Sequence, residues 1–268
     1  MGASSTMGGM AKTSDRIRAV LVAVMAVAQV LSSPVTSVTM GPAADQRPIS
    51  DANLSPVTPA GWAFAIWALI YAGSLVLAVY QLLPSQLSRR IHRRTGWWLA
   101  GAFASSTTWV PLFGTGIIWL SQVMIIMLVI CLIFVAVRFT RLGPAEGAAE
   151  RFAFRLPVML YLGWATLACS AGFGAMFRSW GMDMNSRQTS EVGVALVLSA
   201  TIASLFVVGR LAAITGFLLA ACWGFVAVAV ATYAEDVRLA VVLALTVLLA
   251  AVVGRTLRSG DRRTVLFG

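Results

Sequence analysis

Ile117-Ile-Trp-Leu-Ser-Gln-Val-Met-Ile-Ile-Met-Leu-Val-Ile-Cys-Leu-Ile-Phe-Val-Ala-Val137 runs for 21 residues without an ionisable side chain and stops at Arg138. A helix rises 1.5 Å per residue, so about 20 apolar residues cross the hydrocarbon of a bilayer. This stretch reads as a membrane span, and it is not alone. Of the 268 residues, 59% are hydrophobic and 11% charged, with a mean hydropathy of +0.85. A soluble domain is about 45–50% apolar and about 25% charged, so this composition excludes one.

Outward from that stretch, apolar runs predict eight spans, at 19–40, 60–82, 97–113, 117–137, 156–177, 192–208, 212–232 and 239–254. The expected fold class is an all-α, polytopic membrane helix bundle with eight transmembrane helices. Residues 1–18 and 255–268 are expected to be basic cytoplasmic tails. The first span has the weakest signature, because Leu31-Ser-Ser-Pro-Val-Thr-Ser-Val-Thr39 is polar and Arg16 and Arg18 precede it. A cleaved signal peptide has a similar pattern.

The formal net charge of +10 suggests nucleic acid only in a soluble chain. Here the basic residues sit between spans, where they set orientation, and no nucleic-acid partner is expected. Eight spans put sixteen of the 20 Lys and Arg on one side: Lys12, Arg16, Arg18, Arg89, Arg90, Arg93, Arg94, Arg138, Arg141, Arg151, Arg155, Arg210, Arg255, Arg258, Arg262 and Arg263. Arg47, Arg178, Arg187 and Arg238 fall on the other. Basic residues stay in the cytoplasm, so both termini are expected inside.

No Asp, Glu, Lys, Arg or His lies in the middle of a span, which argues against ion pumps, proton-coupled carriers and intramembrane hydrolases. The single histidine, His92, reads as a solvated loop residue within Arg89-Arg-Ile-His-Arg-Arg94. Cys131, Cys169 and Cys222 have neither disulfide nor metal-site spacing and read as packing residues.

The segment from Thr58 to Tyr71 follows an outer loop, 41–58, rich in proline and glycine. Pro59 suits the first turn of a helix. On that helix Phe64, Trp67, Tyr71, Ser74 and Ala78 share one face, while Trp62 points away as an interface anchor. Tyr71 lies about 18 Å below Pro59, near mid-membrane, where its hydroxyl needs a partner. The fifth span puts Tyr161 and Trp164 on a face with Ala168, Ala171, Gly172 and Ala175, small residues that let helices approach. The third span carries Ser105-Ser-Thr-Thr-Trp109 in its outer half, and Trp97 and Trp98 read as inner anchors. Two readings follow. The aromatics are helix packing and interface anchors, or they line a flat cavity with the outer loop as its lid.

These segments resemble the translocator-protein family, also called TspO or tryptophan-rich sensory proteins. The carrying residues are Pro59, Trp62, Phe64, Trp67, Ile70 and Tyr71, then Trp109-Val-Pro-Leu-Phe113, then Pro157, Tyr161 and Trp164, in family order over residues 17–178. The spacing from Phe64 to Trp67 is one residue shorter than is usual there. Ser106 and Gly172 stand where asparagines are common, and residues from about 191 lack a counterpart in five-helix members. The resemblance implies a TspO-like bundle over 19–178, with three added C-terminal helices over 191–254.

It further implies binding of a flat hydrophobic molecule, a porphyrin or a sterol or isoprenoid, for sensing or carriage. The implied site comprises Phe64, Trp67, Tyr71, Ser106, Trp109, Tyr161 and Trp164. No cofactor is expected beyond a tetrapyrrole or lipid ligand, and no catalytic or metal-binding residues. The expected location is a bacterial cytoplasmic membrane. Two alternatives stand beside this reading: a non-enzymatic subunit docking a membrane partner or a second copy, and a small secondary transporter. An enzyme is the least favoured, since no acid–base pair lies within the spans.

Overall fold

The computed structural model describes residues 11–183 and 187–268. Residues 1–10 of the expected N-terminal tail and the side chain of Arg187 lie outside the described residues. Those described form helices and connecting turns, with no strand among them. Helix α1 is Thr13–Met40. It ends at Gly41, whose φ of +89° an L side chain rarely adopts. The outer loop then forms a 3₁₀ turn, Pro42–Ala44, and a short helix α2, Gln46–Ala52. A second 3₁₀ turn, Gly61–Ala65, runs into α3, Ile66–Leu82.

Helices α4 (Arg90–Gly114) and α5 (Ile118–Leu142) form the next hairpin. A single turn, α6 (Ala148–Glu150), passes through a π-helical turn at Arg151–Arg155 into α7, Leu156–Ser179. Three further long helices follow: α8 (Arg187–Arg210), α9 (Thr215–Ala231) and α10 (Glu235–Arg258), before a terminal turn α11, Arg262–Phe267.

Each expected span coincides with one long helix. Six of these helical segments are long and apolar enough to cross a membrane: Thr13–Met40, Gly61–Leu82, Ile118–Leu142, Ala148–Ser179, Thr189–Arg210 and Glu235–Arg258. Helix α9 has 17 residues and is too short by that measure. Helix α4 is diluted by its basic first turn and by Ser105-Ser-Thr-Thr108. Eight crossings are therefore not established.

Helix α7 is the most buried span and the hub of the bundle, packing on α3, α5, α8 and α9. Helix α1 packs on α3 and α4, and α10 covers α8 and α9. The α7–α9 crossing is made by glycines. A Cβ on Gly163 would sit 2.4 Å from the Phe217 carbonyl oxygen, and one on Gly216 would sit 2.5 Å from that of Leu156. Neither backbone has room to yield, so small residues set the distance between these helices.

Three expectations are corrected. Helix α1 starts at Thr13, so residues 13–18 are not tail. Asp15 in its first turn suits the positive end of the helix dipole, and its buried carboxylate pairs with Arg18 at 2.7 Å and Arg93 at 2.6 Å. Pro59 does not open a helix, because the tighter 3₁₀ turn intervenes and begins after Ala60. His92 is not solvated. It is fully buried, edge-on to Tyr80 at 5.5 Å and Phe154 at 5.3 Å, with neither ring nitrogen hydrogen-bonded.

His92 is buried because the arginine-rich end of the bundle folds inward. Glu150 there holds Arg89 and Arg155, each at 2.6 Å, and Arg155 is itself buried. Several of the orienting charges thus also clamp helices together.

Candidate functional site

Trp67, in the first turn of α3, is the centre of an aromatic cluster. Its ring stacks on Trp109 of α4, with centroids 5.4 Å apart and planes at 29°. Tyr71, one turn on, lies 5.4 Å away. From α7, Tyr161 and Trp164 meet Trp67 edge-on at 6.0 and 6.1 Å. Phe64 reaches Trp164 at 6.3 Å, and Phe113 stacks on Trp109 at 5.4 Å. These separations suit offset and edge-to-face pairs.

Beside the cluster lies a narrow cleft. Phe64, Trp67, Trp109 and Trp164 form its aromatic wall, and Ala168, Ala171, Gly172 and Ala175 of α7 form its floor. Ser50 of α2, Thr58 and Pro59 also line it, so part of the outer loop borders the cleft. The four small residues on α7 hold space open here, whereas the helix contact expected of them is made by Gly163 on another face. Trp67 and Trp109 stand too close to admit a ring between them, which takes roughly twice the 3.5 Å contact distance. A flat molecule would lie along the wall.

All seven candidate residues fall in this region, but in two layers. Phe64, Trp67, Trp109 and Trp164 line the cleft, while Tyr71, Ser106 and Tyr161 lie among the surrounding helices without lining it. The Tyr71 hydroxyl faces Ser106 and Gln46, yet neither it nor the Ser106 Oγ closes a hydrogen bond. The neighbouring hydroxyls are already satisfied: Ser105, Thr107 and Thr108 donate to the carbonyls of Gly101, Phe103 and Ala104 in their own helix. They are thereby removed as candidate donors.

Two glutamines outside the expected site residues add polar groups here. Gln29 of α1 is fully buried and accepts a hydrogen bond from the Tyr161 hydroxyl at 3.1 Å. It ties α1 into the bundle. Gln122 of α5 lines the cleft, and its Nε2 donates to the Cys169 carbonyl at 3.0 Å. That bond fixes the amide, so Oε1 lies over Gly172, where a Cβ would be only 2.1 Å away. The signal for both was a lone amide in an otherwise apolar run.

The cleft thus offers flat apolar faces and an amide oxygen. The Trp67 and Trp164 rings line it, and their indole N–H groups are buried and lack an acceptor. Among the described residues no charged side chain lines it. Among the described residues there is no cluster of three metal-ligating side chains.

A helical membrane protein with an uncharged aromatic cleft is the class these features define. A family model described as TSPO-like protein matches residues 17–256, and the chain belongs to that family. The match takes in α8, α9 and α10, beyond the 17–178 over which the motifs resemble the family. None of the curated proteins and none of the solved structures matches the chain.

Proposed function

We propose that this TSPO-like membrane protein binds a flat hydrophobic small molecule, of the porphyrin or the sterol and isoprenoid class, in the aromatic cleft, acting as a sensor or carrier. The observation that carries the reading is the pair of unpartnered indole N–H groups, on Trp67 and Trp164, beside an apolar cleft. A buried donor left without an acceptor costs about 1–3 kcal/mol. A carbonyl, carboxylate or ether oxygen on a bound ligand removes that cost while the rings cover its apolar body. In this reading all eight long helices cross the cytoplasmic membrane, with the arginine-rich end and both termini inside.

The test is a protoporphyrin titration of the purified protein, followed by absorbance, with Trp67→Phe and Trp164→Phe alongside. Phenylalanine keeps a ring but removes the donor. We expect saturable one-site binding in the wild type, weakened about tenfold in each variant at unchanged helicity. Non-saturating uptake that neither substitution alters would be detergent partitioning and would sink the proposal.

A further inference from the structure

A second recess opens at the arginine-rich end, between the start of α4 and the end of α5. Arg90 and Arg94 line one side and Arg138 and Arg141 the other, with Ile133, Phe134, Val137 and Leu142 as its apolar wall. It encloses about 840 Å³, counting its open mouth. It is a different place from the aromatic cleft, and the two share no lining residue.

The four arginines differ from the paired ones nearby. At the same end, Arg18 and Arg93 share Asp15, Arg89 and Arg155 share Glu150, and Arg255 donates to the carbonyls of Val208 and Leu211. Among the described residues, none of Arg90, Arg94, Arg138 and Arg141 has a carboxylate partner. Arg138 is held in place, its guanidinium 4.8 Å from the Trp98 ring centroid and 5.3 Å from that of Phe134. Four uncompensated cations converging on one recess call for a polyanionic oxygen group such as a phosphate.

The surface leading away from the recess says which molecule carries that phosphate. Phe134, Ile130, Met127 and Val123 of α5 are exposed. Their spacing of four, three and four residues makes one stripe along the helix. The stripe rises about 16 Å, close to the roughly 15 Å depth of one leaflet's hydrocarbon. A basic recess continued by an apolar track of leaflet length fits a headgroup with its acyl chains. A soluble phosphate ester would use the recess and leave the track bare.

We propose that this recess binds the headgroup of an anionic phospholipid, with the acyl chains laid along the Val123–Phe134 stripe. Each arginine near an anionic membrane surface contributes about fivefold in affinity. Replacing two of the four is therefore expected to weaken retention at least tenfold.

The test uses the full chain in nanodiscs of phosphatidylcholine containing one-fifth phosphatidylglycerol. Lipid retention is read by native mass spectrometry after transfer to detergent. The expected result is preferential retention of phosphatidylglycerol, lost in Arg94→Gln/Arg141→Gln and kept in Arg258→Gln/Arg262→Gln/Arg263→Gln, whose sites lie at the same end outside the recess. Equal loss in both variants would show bulk charge attraction and overturn the site. Displacement by millimolar glycerol 3-phosphate would assign it to a soluble phosphate and overturn the lipid. A photoactivatable phosphatidylglycerol on the wild-type protein needs no variant to fold. Crosslinks within 123–142 are expected, and crosslinks confined to other helices would overturn the proposal.

Discussion

Helix α7 presents two faces built from the same kinds of residue to opposite effect. Toward α9, Gly163 brings the backbones so close that no Cβ fits. Toward the cleft, Ala168, Ala171 and Ala175 line open space beside the aromatic wall of α3 and α4, and Gly172 is covered only by a flexible side chain. The difference lies in what faces them. Opposite Gly163 is the Phe217 carbonyl together with Ala220, a surface as flat as its own. Opposite Gly172 is the end of the Gln122 side chain, with the bulky rings of Trp67 and Trp109 lining the same cleft. Small against small closes a gap, and small against large planar rings leaves a slot. A small-residue pattern thus takes its meaning from the partner helix.

Three substitutions press on that contrast. Gly163→Leu should have the largest effect, because its Cβ alone meets a backbone oxygen that cannot move without shifting α9. We expect a loss of about 3 kcal/mol, read as a lower thermal midpoint in detergent. A midpoint like that of the wild type would mean that α7 and α9 are not held by this crossing.

Gly172→Ala should cost less, about 1 kcal/mol, because the obstructing atom is the far end of a flexible side chain. Gln122 swings aside and its bond to Cys169 is lost. Its sharper readout is ligand binding, which should weaken several-fold while the fold persists. A loss as large as that of Gly163→Leu would make the two faces equivalent.

Ser106→Ala should be the mildest. The Ser106 Oγ is buried and makes no hydrogen bond, so its removal should change stability by less than about 0.5 kcal/mol. A loss above 1 kcal/mol would show that this hydroxyl is held by its neighbours.

The long helices were legible because apolar length and the spacing of arginines are physical requirements of a bilayer. The aromatic cluster was legible for a related reason, since helix rise and span position put Trp67, Tyr71, Trp109 and Trp164 at overlapping depths. Other features depended on contacts between distant parts of the chain. His92 sits in the most basic stretch of the sequence, and nothing local predicts that Tyr80 and Phe154 enclose it. Asp15 looks like part of a tail until Arg93 is brought beside it. Gln29 and Gln122 are neutral, so they passed a search for charge, yet one secures α1 and the other borders the cleft.

The segment between Pro59 and Phe64, two residues that line the cleft, is fastened from outside the aromatic wall. The Ala60 N–H donates to the Ala227 carbonyl at 3.1 Å, and the Trp223 indole donates to the Ala63 carbonyl at 3.0 Å. Trp62 lies edge-on against Trp223 at 4.7 Å. Both bonds run to α9, so the start of α3 inherits the local stability of a helix far along the chain. In amide exchange, the Ala60 proton should be among the slow ones, although it lies in a connecting segment. Whatever loosens α9 therefore loosens the segment that joins Pro59, at the border of the cleft, to α3.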